Sequence, residues 1–176
     1  MLKGVAVGPC RKVRCVAAAA FGVALLLTGC DTSNMQFVQD RRVRIVEPED
    51  RSTVTLPLTI RWEADDFDIT GKNGAASRDA GYFAVFVDRP PMPPGRSLEW
   101  MARQEGSCGS DACGSVKNLA DVYTTDATEI KLTRLPATDE RSGVERHEAV
   151  IVLLDGSSRR IGESAFYVTF NFKRTV

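Results

Sequence analysis

The sequence predicts an all-β protein, an antiparallel sandwich of two sheets, and three observations carry that expectation. About seven short apolar runs repeat with a period of two rather than 3.6. Gly, Pro, Asp and Ser punctuate them as turn residues, and one stretch alone, near Leu98 to Gln104, has a helical look. With 176 residues, 43% of them apolar, the chain is long enough for one domain with a real core.

In the first run Val43 and Ile45 alternate with Arg44 and Val46 until Glu47-Pro48-Glu49-Asp50 breaks it. Leu58, Ile60 and Trp62 then share one face, with Thr59, Arg61 and Glu63 on the other. Pro57 suits the start of that strand, where its missing N–H removes no ladder bond. Tyr82 to Val87 is near-continuously apolar and ends at Asp88-Arg89-Pro90, the pattern of a central strand. Val122 to Thr125 and Thr128 to Leu132 are β-prone. Ala149 to Leu154 reads as buried on both faces before Asp155-Gly156-Ser157-Ser158 turns the chain. In the last strand Phe166, Val168, Phe170 and Phe172 oppose Tyr167, Thr169 and Asn171, which needs a sheet with one packed face.

The Val43 to Pro48 opening, Leu58 to Trp62, Ile130 to Pro136 and the final hairpin together resemble immunoglobulin-like and fibronectin type III-like domains of bacterial envelope proteins. The resemblance spans about residues 43 to 173 and implies an immunoglobulin-like fold for a domain at 43–176. It implies no function, because that fold hosts many.

The 23 Lys and Arg balance 23 Asp and Glu, yet residues 1–29 contain Lys3, Arg11, Lys12 and Arg14 and no acid, leaving 19 basic against 23 acidic residues. No basic stripe follows, which argues against nucleic acid as a partner. Cys15 to Leu27 is a 13-residue apolar run, shorter than the roughly 20 residues a bilayer span needs, and residues 1–29 read as a signal peptide to be removed. Its end, Leu27-Thr28-Gly29-Cys30, resembles the lipobox of bacterial lipoproteins. That resemblance implies a diacylglyceryl lipid and an acyl chain, of the palmitate kind, on Cys30 as the new first residue. It places the protein at the extracytoplasmic face of the cell membrane. Two or more chains hold stably where one is marginal. In some two-membrane bacteria an Asp in the place of Asp31 favours the inner membrane. A plain signal peptide, with Cys30 an accident, is the alternative. Residues 30–42 are polar without sustained period and read as a tether, spanning on the order of 20 Å if flexible.

With Cys10 and Cys15 discarded, Cys108 and Cys113 remain in a Gly- and Ser-rich loop. An even pair outside the cytoplasm reads as a disulfide; a two-cysteine metal site is the rival, but zinc wants further ligands and His147 is the one histidine of the chain. The stretch from 89 to 121 is long for a loop. It begins with Arg89-Pro90-Pro91-Met92-Pro93-Pro94-Gly95, stiffened toward polyproline II, continues through Leu98, Trp100 and Met101, and reaches the cysteines. Pro91, Met92, Pro93, Pro94, Trp100 and Met101 are thus the candidate binding residues of a preorganised loop, against the alternative that they lid one end of the sandwich. Trp62 is expected in the core.

No catalytic or metal residue is assigned and no cofactor is expected beyond the lipid. His147 lacks a Gly-x-Ser-x-Gly partner motif and reads as a surface strand residue. Asp65, Asp66 and Asp68 read as a solvated acidic turn, the alternative being a hard-cation site that lacks an EF-hand's spacing. Gly71-Lys72-Asn73-Gly74 fails the phosphate-loop pattern and reads as a turn. The functional expectation is a non-catalytic binding or structural module whose partner is another envelope protein or a surface polymer; the alternative is a small-ligand or carbohydrate carrier using loop 89–121. Reducing Cys108–Cys113 should lower the melting temperature only modestly, a ring that small contributing about 2 kcal/mol. Calorimetry with and without reductant checks this, and global unfolding on reduction would contradict it.

Overall fold

Residues 40–106, 119–137 and 143–173 are described by the computed structural model, all within the unit Gln39–Val176. The expectations placed on Cys30, Cys108 and Cys113, and on the signal peptide, lie outside the described residues. The described residues are mostly β: β1 (Val43–Glu47), β2 (Thr53–Val54), β3 (Leu58–Ala64), β4 (Asp68–Ile69), β5 (Ala80–Val87), α1 (Leu98–Gln104), β6 (Val122–Thr125), β7 (Glu129–Leu132), β8 (Val144–Leu154) and β9 (Phe166–Lys173).

A smaller sheet has the order β1-β3-β7 and is antiparallel throughout. A larger one runs β2-β9-β8-β5, and the other edge of β5 is shared by β4 and β6. Two pairings correct the purely antiparallel expectation: β2 lies parallel to β9, and β4 parallel to β5. Both are two-residue edges, too short to show any period in the sequence.

Strand alternation decides which residues meet. Leu58, Ile60 and Trp62 of β3 and Leu132 of β7 are buried against Phe83 and Val85 of β5, Ile151 and Leu153 of β8, and Val168 and Phe170 of β9. Trp62 meets Phe83 edge-on, with ring centroids 5.2 Å apart. Each such large side chain contributes about 1.5 to 3 kcal/mol by leaving water. The opposite face of the smaller sheet is charged: Arg61 pairs with Glu47 at 2.6 Å and Arg44 with Glu63. These pairs sit in solvent and keep that face wet.

The larger sheet is buried on its second face as well. Tyr82, Ala84 and Phe86 of β5 and Val150, Val152 and Leu154 of β8 pack against Met92, Leu98, Met101, Ala102 and Leu119. The described residues between 92 and 119 therefore cover the middle of the sheet. Helix α1 serves this because Leu98, Met101 and Ala102 fall on one face at spacings of three and four. Ser97 caps it, its hydroxyl accepting from the Trp100 N–H at 3.3 Å. The Tyr82 hydroxyl donates to Ser158 Oγ at 2.6 Å under this cover. Burial pushes that phenol above its usual range, and the Ser158 bond partly offsets the rise.

At Gly81 the backbone of β5 approaches that of β8 so closely that a Cβ would lie 1.8 Å from the Leu154 carbonyl oxygen. No side-chain rotation relieves a clash with backbone. Gly81→Ala should therefore destabilise the fold by about 3 kcal/mol or more, read as a shift of the urea midpoint; a near-neutral result would contradict the packing described.

Candidate functional site

Among the described residues the cover over the larger sheet stops at Val150. Beyond it the outward residues of β8 and β9 are open, with Arg146 opposite Asn171 and Glu148 opposite Thr169. Tyr167, the next outward residue of β9, is 70% exposed. A groove of about 890 Å³ runs along this surface, lined by Arg51, Asp88, Arg146, His147, Glu148, Thr169 and Asn171.

Its walls are fixed by bonds between side chains and backbone. The Asp50–Arg51 turn between β1 and β2 is pinned to β9: Thr169 N–H donates to Asp50 Oδ1 at 3.0 Å, and Asn171 Nδ2 donates to the Arg51 carbonyl at 3.1 Å. Arg51 has φ of 62°, which aims the turn back over the sheet. Its side chain is 85% exposed at the rim.

His147 forms part of the groove floor. The structure corrects its expected surface position: it is 1% exposed. The reason is register. Glu145, His147, Ala149, Ile151 and Leu153 share the inward face of β8, while Arg146 and Glu148 point out. Counting back by twos from Ile151 and Ala149, which β8 turns inward, reaches His147. The ring stacks on Phe170 at 5.8 Å and meets Phe172 edge-on at 6.2 Å.

Asp88, immediately after β5 and with φ of 54°, completes the arrangement. Its Oδ1 accepts from the Glu148 N–H at 2.9 Å, and its Oδ2 lies 2.6 Å from His147 Nδ1. A carboxylate only accepts, so Nδ1 carries the proton. Nε2 lies 3.5 Å from Glu145 Oε2. The imidazole is thus held between two carboxylates and two aromatic rings. Among the described residues no hydroxyl bonds to it. What it does is tie β5, β8 and β9 together at the end of the core.

The candidate loop residues fall in several environments. Met92 is 1% and Met101 8% exposed, both inside the second core cluster, and Pro91 is half-buried. Pro93 and Pro94 face solvent. Trp100 packs against the same cluster, and the Arg96 guanidinium lies 5.4 Å over its ring. Asp65, Asp66 and Asp68 are exposed around a bend, and residues 72 and 73 form a turn. Among the described residues no group of three or more His, Cys, Asp or Glu is placed to hold a metal, and no helix is long and apolar enough to cross a membrane. The groove was missed in the sequence because it joins residues more than a hundred positions apart.

No family model, curated protein or solved structure matches this chain.

Asp88→Ala should cost about 2 to 3 kcal/mol, since it strips partners from both a buried imidazole and the Glu148 N–H. Asp88→Asn, which keeps an acceptor for that N–H, should cost less. Urea unfolding of the two variants checks the order, and equal stability of Asp88→Ala and the parent would contradict it.

Proposed function

We propose that this protein is a lipid-anchored, extracytoplasmic binding module on an immunoglobulin-like sandwich, performing no covalent chemistry. The observation that carries the reading is the lipobox-like Leu27-Thr28-Gly29-Cys30 at the end of a 13-residue apolar run, a few residues ahead of a strand-built body. The strand order supports the immunoglobulin-like assignment. The first edge divides between the sheets, β1 pairing with β3 and β2 running parallel to the last strand, and the two sheets share one core.

The groove supports a binding role. It offers guanidinium, carboxylate, amide and hydroxyl groups on a rigid sheet, the mixed polar chemistry of a protein or polymer contact. The partner is another envelope component, engaged through the groove rather than through loop 89–121, whose Met92 and Met101 are spent on the core.

Mass spectrometry of the mature protein should find Cys30 as the first residue and carrying lipid, and Cys30→Ser should leave the membrane fraction. An unmodified Cys30 would overturn the anchor. A photocrosslinker replacing Thr169 should capture a discrete envelope partner in intact cells, while one replacing Lys131 on the charged face of the smaller sheet should not. Identical patterns from both positions would overturn the groove as the binding face.

A further inference from the structure

A second cleft, of about 570 Å³, lies where the chain enters the domain. Arg78, Arg159 and Arg160 line it together with Pro94, Gly95 and Gly162. Arg160 is the unusual member, being 7% exposed. Its Nη1 donates to the Met92 carbonyl at 2.6 Å, and its Nη2 to the carbonyls of Glu163 at 2.8 Å and Ser164 at 3.2 Å. Its Nε has no hydrogen-bond partner, and among the described residues Arg160 forms no ion pair. Burial lowers its pKa from the usual arginine value. A guanidinium removed from water and held only by neutral carbonyls lacks a counter-ion.

The carboxylates of the cleft do not supply one. Asp155 is turned to its own loop, Oδ1 accepting from Ser157 N–H at 2.9 Å, Ser157 Oγ at 2.7 Å and Arg159 N–H at 3.0 Å. Glu163 is exposed on the rim. Arg159 reaches the Gly95 carbonyl at 3.1 Å, and Arg78 is exposed. Three arginines thus line one cleft, a concentration of positive charge that suits a phosphate.

Position identifies the source of that phosphate. Asp40 N–H donates to Ser164 Oγ at 3.2 Å, and Arg42 Nη1 donates to the Arg78 carbonyl at 2.7 Å. The entering chain is therefore fastened to the cleft's own rim. Ten residue steps separate Asp40 from Cys30, a reach of at most about 36 Å and on the order of 17 Å for a flexible chain. The cleft is thus confined to the neighbourhood of whatever holds Cys30.

We propose that this arginine cleft takes the phosphate of an anionic phospholipid headgroup, docking the domain on the membrane that carries its anchor. The inference rests on the lipid-anchor reading. The test uses the mature protein in vesicles of phosphatidylcholine alone or with phosphatidylglycerol, read by hydrogen exchange. Amides of residues 162 to 164 should slow about fivefold for each engaged arginine when phosphatidylglycerol is present, and not in phosphatidylcholine alone. Arg78→Gln combined with Arg159→Gln, both exposed positions, should abolish the slowing while Arg160 keeps the loop folded.

Absence of slowing on lipid-bearing protein overturns the headgroup site and leaves the anchor intact. Equal slowing by inorganic phosphate in detergent makes the cleft a free-anion site and overturns the lipid assignment, as does equal slowing around Arg51. An unlipidated Cys30 in the same spectra overturns the anchor instead.

Discussion

Two-sided burial of the central pair β5 and β8 is the constraint on which everything else depends. Six consecutive cross-strand pairs, from Tyr82 opposite Leu154 to Val87 opposite Ala149, are apolar on both strands. Alternate residues face opposite ways, so neither face can meet water. The smaller sheet covers one, and the segment containing α1, Met92 and Leu119 covers the other. A sheet with one wet face would not need the long excursion between β5 and β6; this one does.

The same constraint explains where polar chemistry appears. Among the described residues cover ends at Val150, and the strands continue beyond it, so β8 and β9 project a polar ledge on one side and carry Glu145 and His147 into the end of the core on the other. Buried polar groups must be paired. Asp88 meets that demand at His147 Nδ1 by leaving β5 with a positive φ and folding its carboxylate back onto β8. The groove and the imidazole in its floor belong to one overhanging strand pair.

Much of this was legible in the sequence. The runs at 58 to 62, 122 to 125, 149 to 154 and 166 to 172 coincide with strands, and Leu98 to Gln104 is the helix. Trp62 is core because its alternation with Ile60 and Leu58 left it no other face. Local pattern failed where the determinant was remote. The two-residue β2 and β4 owe their strand form to neighbours more than ten residues away, and Asp88 and His147 stand 59 positions apart. His147 differs for another reason: its charged flanks suggest a wet segment, although alternate residues at the end of a strand face opposite environments.

The fastening at Asp40 and Arg42 also sets how the domain answers mechanical pull. Arg42 holds the Asp40 carboxylate by a side-chain hydrogen bond, which keeps that acid below the usual carboxylate range and ionised in neutral water. Tension arriving along the preceding residues meets this knot, bonded across to Ser164 and Arg78, before it reaches the first rung of the ladder between Val43 and Ala64. Such a knot would act as a strain relief, as on a cable where it enters a housing, passing a tug to the segments that precede β5 and β9 as well as to β1.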